Sequence, residues 1–95
     1  MSYNPFGQEV ARLISERGIT KKILAERMRE QGWPLKGPQE ALSYAMKNQG
    51  SRVPIRTTLF VIEALGLSEE QESRLFKAVR KTELQALESH IKRDA

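Results

Sequence analysis

Five stretches of the chain carry apolar residues at intervals of three and four, and none sustains the two-residue alternation of a half-buried strand. Phe6, Val10, Leu13 and Ile14 form the first stripe, and Arg17 continues its period. Asn4 is placed to cap this helix, Pro5 suits its first turn, and Gly18 ends it. Thr20 is the cap candidate for a second helix carrying Ile23, Leu24, Ala25 and Met28, closed by Gly32, Trp33 and Pro34. Trp33, between a helix-ending glycine and a proline, is expected to pack this turn. A third helix opens at Pro38 after the loop Leu35 to Gly37. Its apolar side is Ala41, Leu42, Ala45 and Met46; Gln39, Glu40, Ser43, Tyr44 and Lys47 fill the rest.

Asn48 to Val53, with Gly50 inside, reads as a polar connector. The fourth helix is approached by Pro54, with Thr58 as a second start. Leu59, Ile62 and Leu65 make its core stripe, and Phe60, Val61 and Ala64 widen it. Leu24, Ala25, Met28, Leu42, Leu59, Ile62 and Leu65 are read purely as core. Gly66 ends the fourth helix. Ser68 and Gln71 then form a capping box for a fifth, running from Glu69 to about Arg93. Leu75, Phe76 and Val79 can pack on helices one and four. Beyond Thr82 the helix has outrun a small core, yet Leu84, Leu87 and Ile91 continue an apolar stripe with coiled-coil spacing. The predicted fold is all-α: a compact five-helix domain over residues 1–80 and a C-terminal helix extension over 81–95. A second copy is the expected cover for Leu84, Leu87 and Ile91. The competing readings are a tail folded back onto helix four and a last few turns that fray.

Composition narrows the class. At 95 residues, with 39% hydrophobic and 29% charged residues, the chain suits one folded domain and not a disordered one. It has no cysteine, which removes disulfides and thiolate metal sites. No apolar run approaches the roughly 20 residues that span a bilayer, and Met1 to Gln8 lacks the features of a signal peptide. A cytoplasmic protein without a membrane partner is expected. The net charge is +4. Over 68–95 the acids Glu69, Glu70, Glu72, Glu83, Glu88 and Asp94 balance the bases Arg74, Lys77, Arg80, Lys81, Lys92 and Arg93, so the excess lies upstream. Between Lys36 and Arg56 the bases Lys36, Lys47, Arg52 and Arg56 face one acid, Glu40. A basic middle segment permits nucleic-acid binding.

Catalysis has little to use. His90 is the single histidine, on a charged helix; Ser43 and Ser51 have no base nearby in sequence; no glycine-rich phosphate loop or metal-spaced cluster occurs. Neither enzymatic activity nor a cofactor is expected.

Gly18-Ile19-Thr20-Lys21-Lys22-Ile23-Leu24-Ala25 resembles the opening of the second helix in phage-repressor-like regulators, the Xre/Cro class. Leu42-Ser43 resembles the apolar-Ser pair of that family's recognition helix. Arg52-Val53-Pro54, Thr58-Leu59, Ile62 and Leu65-Gly66-Leu67 resemble its fourth helix and exit. The likeness covers roughly residues 6–76. Ala25 and Leu42 stand seventeen residues apart, a longer separation than the family pattern, and Met46-Lys47-Asn48 replaces a usual acidic residue. The resemblance implies a lambda-repressor-like helix-turn-helix fold with an extended connection between helices two and three.

It also implies double-stranded DNA as partner, with helix three in the major groove. Gln39, Glu40 and Ser43 are then the candidates for base readout: a glutamine amide pairs with adenine, a glutamate accepts from cytosine N4, and a serine is less selective. Thr20, Lys21, Lys36, Tyr44, Lys47, Arg52 and Arg56 are the candidates for backbone contact. The plain alternative for each is a solvated helix face. The implied function is a sequence-specific, repressor-type transcription regulator, nucleoid-associated and dimeric, of the kind carried by phages, plasmids and mobile elements. The alternatives are an adaptor or antagonist that kept the fold and binds another regulator, and the antitoxin of a toxin–antitoxin pair.

Overall fold

Helix caps set the architecture. In the computed structural model, which describes residues 3–48 and 52–94 and the side chains of all of these but 89, 90 and 92–94, there are five helices. They are α1 (Pro5–Glu16), α2 (Lys21–Glu30), α3 (Pro38–Lys47), α4 (Ile55–Leu65) and α5 (Glu69–Asp94), with no strand among the described residues. Gly50 and Ser51 of the connector and the His90 side chain lie outside the described residues.

Three side-chain caps act where the sequence places them. Asn4 Oδ1 accepts from Gly7 N–H at 2.7 Å, and Thr20 Oγ1 accepts from Ile23 N–H at 3.2 Å. Ser68 and Gln71 close a reciprocal capping box at 3.1 and 3.2 Å. α3 starts differently. Gly37, at φ +71°, turns the chain into Pro38 and contributes no side chain to the free N–H groups of the first turn. α4 starts at Ile55 after Pro54, so Thr58 is an interior residue and not a start.

α1 lies at the centre of the packing, against α5, α3 and α2, while α2 also packs on α3 and α4. Phe6, Leu13, Leu24, Met28, Leu42, Met46, Val61 and Leu75 are fully buried between them. The fold is compact, with a radius of gyration of 13.3 Å. Phe6 N–H, one of the orphan donors of the first turn of α1, finds the hydroxyl of Thr82 at 2.9 Å, and Thr82 is buried. α5 therefore belongs to the core as far as Thr82.

Three residues expected inside are at the surface. Leu59 is 49% exposed, and Ile23 and Phe76 also face outward. On α4 the inward face is Thr57, Thr58, Val61, Ile62 and Leu65. Both threonines are buried, and the Thr58 hydroxyl donates to Pro54 C=O at 3.3 Å. With its hydroxyl satisfied locally, a threonine presents its methyl group to the core, and the helix turns Leu59 away. The fold-back of the C-terminal tail is also set aside, since α5 is one continuous helix through Asp94.

Candidate nucleic-acid interface

α3 divides along its length. Pro38, Leu42, Ala45 and Met46 are buried. Gln39, Glu40, Tyr44 and Lys47 are exposed and Ser43 is half-buried. At 100° per residue these five form one continuous polar face. Lys36, also exposed, precedes it, and Lys47 ends it. None of the five side chains, nor Lys36, makes a hydrogen bond or ion pair among the described residues, so the face is open to a ligand.

Long-range contacts hold this helix in place. Asn4 is 2% exposed, and its amide Nδ2 donates to Ala45 C=O and Asn48 C=O, both at 2.7 Å. Its backbone N–H donates to Met46 C=O at 2.9 Å. One residue thus caps the start of α1 and satisfies carbonyls at the end of α3, where no intrahelical donor remains. Gly7 brings the two backbones together: a Cβ there would sit 2.3 Å from Met46 O. At the other end, the connector from α2 turns on Gly32, at φ +98°, with Trp33 N–H donating to Met28 C=O at 3.1 Å. Trp33 is buried and packs edge-to-face on Phe60 of α4, with ring centroids 5.2 Å apart. The inserted segment is therefore anchored to the core as expected of Trp33.

The individual candidates fare differently. Glu40 Oε2 lies where it would be 2.5 Å from a Cβ on Gly37, so its carboxylate folds over the first turn of its own helix. There it complements the free N–H groups that Gly37 cannot cap. Gln39 and Ser43 carry no such duty. Thr20 is exposed with its oxygen engaged by Ile23 N–H. The Lys21 ammonium stands 5.5 Å from the centroid of the Tyr3 ring, a cation–π contact that holds it near α1. Arg52 precedes α4 and Arg56 lies in its first turn; both are exposed and form no ion pair among the described residues. Between α2 and the start of α3 lies an open cleft of about 420 Å³, whose charged lining is Lys22, Glu26, Arg29 and Glu40.

Elsewhere, Arg12 bonds Glu9 and Glu16 along α1, at 2.8 Å for Glu16. The Glu9 hydrogen bond is the main cause of its pKa standing above the ordinary arginine value. No cluster of three metal-ligating residues occurs among the described residues, and no described helix is long and apolar enough to cross a membrane.

Asn4, Gly7 and Tyr3 were not foreseen as supports of the site. The signal for Gly7 was a glycine inside a strongly periodic helix, which costs about 1 kcal/mol against alanine unless a close approach needs it. No protein-family model matches the chain, and neither does any curated protein or solved structure.

Proposed function

We propose that this chain is a sequence-specific, DNA-binding transcription regulator of the helix-turn-helix class, related to the Xre/Cro regulators and built like the lambda repressor, with α3 as its reading helix. The observation that carries this reading is the single, unpaired polar face of α3, bounded by Lys36 and Lys47 and fixed to the core at both ends. A rigid helix with such a face fits the major groove. Gln39 and Ser43 are the base readers. Glu40 orders the helix start and takes a lesser part in readout. Lys36, Tyr44, Lys47, Arg52 and Arg56 contact phosphates, and Thr20 and Lys21 do so from the start of α2. The protein acts as a dimer through α5, in the cytoplasm and on the nucleoid, without enzymatic activity. The test is titration against a random duplex pool at low and at moderate salt. Selective binding that falls steeply with salt is expected. Absence of duplex binding at low salt would overturn the reading.

A second reading is favoured by Ile55 and Leu59, both about half-exposed and one turn apart on α4. They would serve a protein partner, as in an adaptor or antitoxin.

A further inference from the structure

α5 has two apolar faces, and only one is covered. Leu75, Val79, Thr82 and Ala86 recur at three and four residues, are buried or half-buried, and mark the side turned toward the domain. Leu84, Leu87 and Ile91 fall on the opposite side of the helix by the 100° rule and are 48%, 55% and 59% exposed. Their spacing of three and four makes them successive a, d and a positions, with Arg80 at the preceding d. Lys81 and Glu88 then take e positions beside the seam, and Glu83 a g position. Lys81 and Glu88 are exposed.

These flanking charges choose an occupant, a direction and a register. A second copy of α5 in parallel would set Glu83 of each chain against Glu88 of the other, repelling twice. An antiparallel copy brings e positions against e positions. If Leu84 packs against the partner's Leu87, Lys81 of each chain meets Glu88 of the other, attracting twice. Sliding the pair by one heptad in either direction, which keeps a opposite d, places Glu88 against the partner's Glu88, or Lys81 against the partner's Lys81. Like charges in such positions act as register and orientation filters.

The geometry points to an antiparallel α5–α5 homodimer with Leu84 opposite the partner's Leu87, selected by two Lys81–Glu88 pairs. It rests on the dimer part of the function proposed above and specifies its partner surface. DNA binding does not enter it. The seam is short, so the interface falls in the small, weak class, with association at micromolar concentrations.

The chain's lack of cysteine allows a direct test. Arg80 and Ile91 are both exposed, so Arg80→Cys and Ile91→Cys leave the core intact. In the antiparallel register Arg80 lies opposite the partner's Ile91, while two copies of either residue are about 16 Å apart along the axis. Mixing the two variants under mild oxidation, without DNA, should give the mixed disulfide and little of either self-pair. Sedimentation of charge variants is the second arm. Lys81→Glu and Glu88→Lys should each weaken association roughly tenfold. Mixing the two, or combining both changes in one chain, should restore it. Dominant self-disulfides, or tighter association of Glu88→Lys, would establish the parallel arrangement and overturn the proposal. A full-length chain that stays monomeric at several hundred micromolar would overturn it as well, giving the seam to a different partner. Neither result would bear on duplex binding, which the salt titration reads separately.

Discussion

Replacing Asn4 isolates the contact that ties α1 to α3. Asn4→Ala removes the N-cap of α1, a loss of about 1 kcal/mol. It also takes the donor from the buried Ala45 carbonyl and from the partly buried Asn48 carbonyl. An orphaned buried acceptor costs about 1–3 kcal/mol. Counting the cap and the Ala45 carbonyl, the total is about 2–4 kcal/mol. That is a large share of the 5–15 kcal/mol typical of a domain, and corresponds to a fall in Tm on the order of 20 °C. Asn4→Asp separates the two roles. Aspartate caps helices as well as asparagine does, so cap logic alone predicts no loss. In this structure its second oxygen would face two carbonyl oxygens at the 2.7 Å now spanned by hydrogen bonds. Asn4→Asp should therefore be at least as destabilised as Asn4→Ala at neutral pH. Urea denaturation followed by circular dichroism gives the stability, and fluorescence of the single, buried Trp33 reports on the connector. An Asn4→Asp variant within about 0.5 kcal/mol of the parent, inside the usual range for a neutral surface change, would refute the two-ended role.

Gly7→Ala should destabilise by about 1–3 kcal/mol in the same assay despite alanine's better helix propensity, because the added methyl group meets the Met46 backbone. Thr82→Val should cost about 1–2 kcal/mol by orphaning Phe6 N–H; truncation after Glu83 should fold, and truncation after Lys81 should be measurably less stable. On a selected duplex, Gln39→Ala should cost roughly 1–3 kcal/mol and relax preference at one base pair, whereas Lys47→Ala should weaken all sequences and lower the salt slope by about one per reading helix. Equal losses on all sequences from Gln39→Ala would show that α3 does not read bases. Trp33→Phe should cost little in hydrogen bonding, since Trp33 Nε1 is buried without an acceptor among the described residues, and any loss in thermal unfolding should reflect the Phe60 contact.

Local chemistry was the legible part of the sequence. Asn4, Thr20 and the Ser68–Gln71 box act within three residues of themselves, and all three are found as caps. The polar face of α3 was legible for the same reason, since a turn of 100° per residue sorts Pro38, Leu42, Ala45 and Met46 onto one side and Gln39, Glu40, Ser43 and Tyr44 onto the other. Contacts made across the chain were hidden. The Asn4 amide reaches carbonyls 41 and 44 residues away, and nothing near Asn4 announces that. On α4 a hydropathy reading prefers Leu59 to Thr58; the hydroxyl bond to Pro54 reverses the order. Glu40 read as a base reader because its position on the helix allowed it. The missing cap at Gly37, which draws its carboxylate back, became visible only with the backbone conformation.

The hydrogen bond from Phe6 to Thr82 spans 76 residues and ties the first helix to the last, which also pack against each other. Its consequence lies in the order of assembly. Short-range helix pairs such as α2 with α3 can form as soon as both are present, and helical folds rich in such contacts assemble quickly. Phe6 N–H, and the face of α1 that packs on α5, have no partner until α5 exists. During synthesis, the chain through Gly66 is therefore a set of helices with α1 half-covered, and the final closure waits for Thr82 to leave the ribosome. The docking of α5 becomes the step that commits the domain.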